Sequence, residues 1–362
     1  MKVFVASAAE LLTDAEGHGE GLIAWSLLAG LAARGHELVV CAREARIVEE
    51  PPFEVVELGR ASSFESVEPL AYARRASREL ARRGPESFDV VHWLYPPLEP
   101  GGMLPRTFGR PLVVGPVAAR WPRRFARRRT RPGDLLQTLL EPFAGAVRKR
   151  RLEHAAVVLL QTPDVPAPRG PRPVLFPPGV TLPAPAPLPD LPRIAFVGGL
   201  DPRKGIRELL VAFAAVRREL PGAELVLAGD GPERAAAESA PGVTVLGAVP
   251  HERVQDILAG AALFCLPSWF EAYSLATAEA MAAGRAVVGT DVPGLRFLVD
   301  PRGGRLVPPA DADALAAALL ELLRDRDALE RLGAFNRARV ESELTIERAL
   351  DRLEAIYVEV AA

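Results

Sequence analysis

Two short segments hold the residues whose types and spacing suit chemistry. The first is FVGGLDPRKG, Phe196–Gly205. A β-type apolar run ends at Val197, glycines follow at Gly198 and Gly199, and helical periodicity resumes after Gly205. Glycines in such a turn let backbone amides approach an anion, and a helix start adds partial positive charge. Lys204 adds a full charge suited to phosphate. The second segment is LPSWFEAYSLATAEAMAAGRAVVGTD, Leu266–Asp291. Glu271 falls in the loop after a strand, and Glu279 in the helix that follows it. On one helix that separation would be about 12 Å along the axis. This exceeds the ~5–9.5 Å between the paired carboxylates of a glycoside hydrolase. It suits two anchors on one extended ligand with hydroxyls at both ends and phosphates between them. Each segment alone also admits a plainer account. Lys204 could be solvated beside a tight turn, Glu271 could cap its helix, and Glu279 could lie exposed on it.

The elements that must position these residues alternate along the chain. Short apolar runs at Val3–Ala6, Leu38–Cys41, Val55–Leu58, Asp89–Trp93, Leu112–Val114 and Val157–Gln161 read as strands. Helical spacing separates them: Leu22, Trp25, Leu28 and Leu31 before Gly35, then about 67–83 and 135–155. Such alternation implies a parallel sheet with helices on both faces. A Pro-dense stretch, 163–192, interrupts it and reads as a connector with one short strand, Val174–Phe176. Alternation restarts at Ile194–Val197 and runs through strands at Leu225–Ala228, Val243–Leu246, Leu263–Leu266, Ala286–Gly289 and Leu306–Val307. Asp311 reads as the N-cap of a helix over Ala312–Leu323, and a last helical stretch, Ala328–Val360, looks broken near Ser342–Thr345. The expected organisation is two Rossmann-like, doubly wound α/β domains facing across a cleft. The first spans 1–185 with the terminal helix 345–362 packing back on it, and the second spans 186–344. In such folds ligands sit beyond the carboxyl ends of the strands.

Composition narrows the field. With 362 residues, 49% apolar and 25% charged, two soluble globular domains are expected, and a net charge of −2 favours neither nucleic acid nor membrane. Cys41 and Cys265 sit in apolar runs and read as buried free thiols, in keeping with a reducing compartment. They and the five histidines show no metal-ligand spacing, so no metal is expected. The amino terminus lacks the pattern of a signal peptide, and no apolar run reaches the ~18–20 residues needed to span a bilayer. A cytoplasmic location follows as an expectation. Against the near-neutral total stand seven arginines within Arg120–Arg131 and the basic run Arg148–Arg151. The bland reading is a solvated face; the sharper one is peripheral contact with an anionic inner-membrane surface or a phosphorylated acceptor. Aromatic interleaving is thin, with Trp121 and Phe125 alone, so nucleic acid is not expected as a partner.

Together the two segments are specific. A strand–GGLxxxKG–helix unit is followed roughly 65 residues later by Glu271 and Glu279, bridging a loop and a helix. This order resembles the carboxy-terminal domain of retaining glycosyltransferases of the two-domain GT-B fold, family 4 (glycosyl transferases group 1). The hallmarks G-R-L-x-x-x-K-G and E-P-F-G-x-x-x-x-E read here as GGLDPRKG and EAYSLATAE. The likeness extends to LAGDGPE (Leu227–Glu233), GAVPHERV (Gly247–Val254) and GGRLVPPADADALA (Gly303–Ala316). In the first half it is an outline only.

The resemblance implies transfer of a hexose from a nucleotide-diphosphate sugar, UDP favoured over GDP, to a hydroxyl acceptor of unknown kind: glycan, lipid-linked or small molecule. Retention without a bound metal or covalent cofactor is implied too. Lys204 would neutralise the diphosphate as the glycosidic bond breaks, and Glu271 would hold sugar hydroxyls. His92 would join them as a catalytic residue, the plainer account being a histidine packed at a strand end. Donor contacts would come from Gly17, Gly19, Gly198, Gly199, Arg203, Gly229, Val249, Val254, Ala272, Tyr273, Ser274, Leu275 and, on the ribose, Glu279. His18 is an alternative polar group near the acceptor. The Gly247–Val254 loop would hold the base; His36 and His154 read as structural, and His251 as a surface residue within that loop.

Departures mark a rival reading. Gly199 stands where the family has Arg, with Arg203 as the candidate substitute. Ala272 replaces Pro, Ser274 replaces Gly, and Leu94 replaces a second His. These motivate a regulatory or catalytically weak relative that binds nucleotide-sugar without transfer. A nicotinamide dehydrogenase is disfavoured because GxGxxG follows none of the strands.

Overall fold

The computed structural model describes residues 1–15, 19–60, 68–95, 104–118 and 152–362. The arginine run Arg120–Arg131, the basic run Arg148–Arg151, Gly17, His18 and most of the helix expected over 135–155 lie outside the described residues. The chain divides into two compact units, Met1–Pro178 with Ile346–Ala362, and Gly179–Thr345.

Strands of the first unit are β1 (Lys2–Ser7), β2 (Leu11–Thr13), β3 (Glu37–Ala42), β4 (Glu44–Arg46), β5 (Glu54–Glu57), β6 (Val90–Trp93), β7 (Leu112–Val117), β8 (Val157–Leu160) and β9 (Arg172–Leu175). Seven form one sheet in the order β5-β3-β1-β6-β7-β8-β9, every pairing parallel. The short pair β2 and β4 stands apart and was not expected, since three-residue runs carry no period. Helix α1 (Gly19–Ala33) buries Leu27, Leu28 and Leu31, and α2 (Glu68–Arg83) buries Tyr72, Ala73, Ala76 and Leu80 at helical spacing.

In the second unit the strands are β10 (Arg193–Val197), β11 (Glu224–Ala228), β12 (Val243–Gly247), β13 (Leu263–Leu266), β14 (Ala286–Thr290) and β15 (Gly304–Val307). They form one parallel sheet in the order β12-β11-β10-β13-β14-β15. Strand order therefore reverses between β10 and β13. Between and after the strands run α3 (Ile206–Glu219), α4 (Arg234–Glu238), α5 (His251–Ala259), α6 (Leu275–Ala282), α7 (Pro293–Leu298), α8 (Ala312–Leu323) and α9 (Arg326–Arg339). Its core centres on fully buried Ile194, Phe196, Leu225, Phe264 and Val287. Asp311 caps α8 by accepting from the Ala314 amide at 2.9 Å.

From Gly179 onward the Pro-rich connector belongs with this unit, while its earlier part, with β9, belongs to the first. Leu182 and Leu188 pack on the core of the second unit, and arginines hold the connector's backbone carbonyls. Arg337 donates to Pro183 O, Arg285 to Ala186 O, and Arg326 to Leu188 O. Proline lacks an N–H but keeps its acceptor, so side-chain donors secure a segment that no ladder can.

After α9 the chain makes a π-helical turn at Val340–Leu344 and enters α10 (Ile346–Ala361), which closes the first unit. Leu350 fills the space over Gly30 on α1. Arg34 donates to Asp351 at 2.8 Å and Glu354 at 2.6 Å, and His36 meets Glu354 at 2.9 Å. No helix among the described residues is long and apolar enough to cross a membrane.

Candidate functional site

The reversal of strand order between β10 and β13 opens a crevice at their carboxyl ends, where neither flanking connection covers the sheet. Two loops emerge there, Gly198–Gly205 after β10 and Pro267–Ser274 after β13. They touch closely. Gly205 has φ 70°, and a Cβ on it would run into the Pro267 carbonyl oxygen. The Trp269 amide donates to Arg203 O at 2.8 Å. Only glycine satisfies both the left-handed backbone and the contact.

This closure brings Lys204 and Glu271 together. Lys204 Nζ lies 2.6 Å from Glu271 Oε1, with the lysine side chain 28% exposed and the carboxylate 11% exposed. The pair thus places one cation and one acceptor at the mouth of the crevice. Glu271 is held from behind, because the Gly294 amide of α7 donates to its carbonyl at 2.9 Å. A Cβ on Gly294 would come within 2.5 Å of Tyr273 O, so α7 can lie against the loop only with glycine there. Sequence reading missed both α7 and Gly294, since VPG reads as an ordinary turn.

Ser274 initiates α6. Its Oγ accepts from the Thr277 amide at 3.2 Å, so Ser274, not Glu271, caps this helix. Ser274 adopts φ 124°, a conformation that suits the glycine found there in the family motif. The amides of Leu275 and Ala276, first in α6, have no carbonyl partner within the helix. Ala272 is partly exposed in the loop, and the Tyr273 ring is buried against Phe297 at 6.4 Å between centroids.

Glu279 is not the exposed helix residue of the plainer account. It is 5% exposed, and burial pushes its carboxyl up to about 8. Its partner is His251, whose Nε2 stands 3.1 Å from Glu279 Oε1. Burial lowers the His251 imidazole, against a smaller opposing effect of Glu252. His251 is thus the partly exposed wall of this corner, a contact with Glu279 that the sequence hid because α5 begins on it.

The other expected donor contacts fall as follows. Gly198 and Gly229 meet where β10 and β11 end: the Gly198 amide donates to Ala228 O at 2.9 Å and the Gly229 amide to Gly247 O at 2.8 Å. Val249 is partly buried and Val254 is 5% exposed on α5. Gly199 is exposed; a Cβ there would find only Asp201 Oδ2 at 3.5 Å and Asp230 O at 3.9 Å. Arg203, the candidate substitute for the missing arginine, is paired in this structure. Its guanidinium grips Asp201 through Nε at 3.1 Å and Nη2 at 2.8 Å.

Two expected residues belong to the first unit. Gly19 opens α1 with open space around it, and His92 is a correction. His92 is fully buried in β6. Its Nε2 bonds Gly115 O at 2.9 Å and its Nδ1 meets the Tyr357 hydroxyl of α10. A carbonyl only accepts, so Nε2 carries the proton and Nδ1 accepts from tyrosine. Burial lowers this imidazole to about 4, so it stays neutral. Both nitrogens are spent inside the fold, which removes His92 as a catalytic residue.

No group of three or more His, Cys, Asp or Glu among the described residues could hold a metal ion. A hollow of about 950 Å³ lined by Arg296, Arg302, Arg305 and Arg339 shares no residue with the crevice. Each of those arginines pairs with a carboxylate: Asp291, Asp300, Glu321 and Glu343 respectively.

Comparison with known proteins fits this geometry. Residues 191–325 match the family described as "Glycosyl transferases group 1". The chain carries a group 1 glycosyltransferase domain. It is 37% identical over 139 residues to a phosphatidyl-myo-inositol mannosyltransferase of Mycolicibacterium smegmatis, covering 36% of each chain. The fold is that of the GT-B glycosyltransferases. Sucrose-phosphate synthase from Thermosynechococcus elongatus superposes with a TM-score of 0.76 at 22% identity, covering 99% of this chain and 98% of that one. Anabaena HepE in complex with UDP-glucose gives 0.71 at 15% identity, covering 99% and 100%. The matched stretch spans less than half the length of the curated relatives. The family match covers the stretch that holds Lys204, Glu271 and Glu279.

Proposed function

We propose that the chain is a retaining glycosyltransferase that moves a hexose from a nucleotide-diphosphate sugar to a hydroxyl acceptor. The observation that carries this is the Lys204–Glu271 pair at 2.6 Å, set at the strand-order reversal of a group 1 glycosyltransferase domain. In this reading Lys204 leaves Glu271 for the diphosphate and offsets the charge that develops as the glycosidic bond breaks. Glu271, so released, accepts from sugar hydroxyls. Amides at the start of α6 receive the phosphates, and Glu279 binds the ribose. The positive charge comes from lysine and helix dipole, so the reading is metal-independent. UDP is favoured over GDP, which the UDP-glucose complex of HepE supports. The acceptor is a glycan, a small molecule or a lipid-linked hydroxyl; the name of the mycobacterial relative supports the last.

Lys204→Ala and Glu271→Ala should each lower transfer by about 10²–10³-fold, the scale of losing one preorganised charge. Circular dichroism should remain native. Wild-type rates in both would sink the assigned roles. A thermal-shift series across UDP-, GDP- and ADP-sugars would identify the donor, because a bound ligand raises apparent stability by mass action.

A second reading, nucleotide-sugar binding without transfer, draws on Gly199 and on Arg203 being committed to Asp201. Stabilisation by a donor with neither hydrolysis nor transfer would favour it. Peripheral membrane contact through Arg120–Arg131 belongs to the proposal as well. Salt-dependent liposome binding that survives Arg→Ala changes at 123, 124 and 127–129 would count against it.

A further inference from the structure

The corner between α5 and α6 contains a built proton pair. Glu279 is the one ionisable side chain of α6, and His251 Nε2 lies 3.1 Å from its Oε1. The elements packed around α6 bring other charged groups, each engaged elsewhere. On α5, Arg253 pairs with Asp256 at 3.4 Å, and Glu252 is exposed, acting on His251. Arg337 of α9 binds Glu341 of the π-helical turn and the Ala282 carbonyl. Arg339 pairs with Glu343, and Arg296 of α7 with Asp291. Lys204 holds Glu271. The Tyr273 phenol and the Cys265 thiol are buried and remain protonated. Among the described residues, His251 is thus the titratable partner found within hydrogen-bond reach of the carboxyl. Its side chain is 34% exposed, while that of Glu279 is 6% exposed, so the imidazole forms the open side of the pair.

Burial opposes charge on both groups, pushing Glu279 up to about 8 and His251 down. At neutral pH the pair therefore holds one proton, on the carboxyl. A ribose presents two adjacent hydroxyls, and a carboxylate can accept from both, whereas a protonated carboxyl has spent one oxygen as a donor. Hydrogen bonds to the ionised form are charge-assisted and roughly twice as strong, so docking a diol favours moving that proton elsewhere.

We propose that His251 is a positioning residue of the donor site that stores this proton: when a ribose diol docks on Glu279, the carboxyl proton passes to His251 Nε2. The Oε–H bond breaks, an Nε2–H bond forms, and the pair becomes carboxylate and imidazolium with no net gain or loss of protons. The nucleotide then binds without exchanging that proton with water. This rests on the donor reading above.

Calorimetric titration with UDP and with GDP at pH 7, in two buffers of different ionisation enthalpy, tests it. Wild type should exchange close to no protons on binding. His251→Gln keeps a hydrogen-bonding side chain but cannot take a proton. It should release about one proton per nucleotide, and its Kd should weaken about tenfold for each pH unit below 8. A merely structural role for His251 predicts that His251→Gln exchanges no protons, and that result would overturn the proposal. So would release of a full proton by wild type. Glu279→Gln should bind weakly and exchange none. If it binds with wild-type affinity, or if wild type binds neither nucleotide, the donor reading itself has failed, and the proton store falls with it.

Discussion

Lys204 and Glu271 lie 67 positions apart in the chain yet meet at 2.6 Å, and most of what the site can do is decided by such single side chains. Gly199 is the clearest opening. Its backbone is not left-handed, and a side chain there meets only ordinary contacts, so Gly199→Arg should fold normally. It should raise kcat/KM about tenfold, the effect of one further cation on a developing phosphate charge; steady-state kinetics would show it. Ser274 offers the reverse case. A non-glycine residue at φ 124° stores about 1 kcal/mol, while exchanging a serine cap for glycine costs a few tenths. Ser274→Gly should therefore raise the melting midpoint by about 1–3 °C. Glu279 gives a pH signature. Its native carboxyl binds a proton that an unfolded one releases near its ordinary value, so its contribution to stability falls as pH rises from about 4.5 to about 8 and is constant above. Glu279→Gln lacks that titration. Chemical denaturation should show the variant gaining on wild type across this window. The charges at 204, 271 and 279 were legible in sequence because motif spacing displays them. The His251–Glu279 contact was not, because it joins two helices whose approach depends on the packing of the whole sheet.

At the scale of elements, the strands were legible and their edges less so. Apolar runs such as IAFV and LFCL announce buried parallel strands, whereas β2 and β4 are too short for any pattern to form. The break in the last helical stretch was visible at Ser342–Thr345, and the chain does turn from α9 to α10 there. What α10 supports was not visible, because the Tyr357–His92 bond spans 265 positions. It makes His92 a member of the fold of the first unit, so Tyr357→Phe would leave a buried ring nitrogen without its donor. The expected loss is about 1–3 kcal/mol in urea denaturation. Any fall in transfer should follow the unfolded fraction and spare the intrinsic rate. The small helix α7 was missed for a similar reason: its purpose is set by contact with Glu271 O and the Tyr273 backbone, which only Gly294 permits.

For the whole molecule, the two halves were legible from the restart of strand and helix alternation after the prolines. The allocation of the connector was less so, because arginines at 285, 326 and 337 claim its carbonyls from afar. The first unit is discontinuous, built from Met1–Pro178 and Ile346–Ala362, whereas Gly179–Thr345 is continuous. Removing 346–362 should therefore destabilise the first unit alone. Calorimetry should show one native transition retained, and limited proteolysis should cut within 1–178. The same discontinuity orders events on the ribosome, where domains fold as units while synthesis proceeds. The segment 179–345 can complete its core as soon as it emerges. The part made first must wait, with Gly30, Arg34 and His92 lacking their partners, until Leu350, Asp351 and Tyr357 appear. The half that starts the chain is thus the last to close, and it is the half a chaperone has most time to meet.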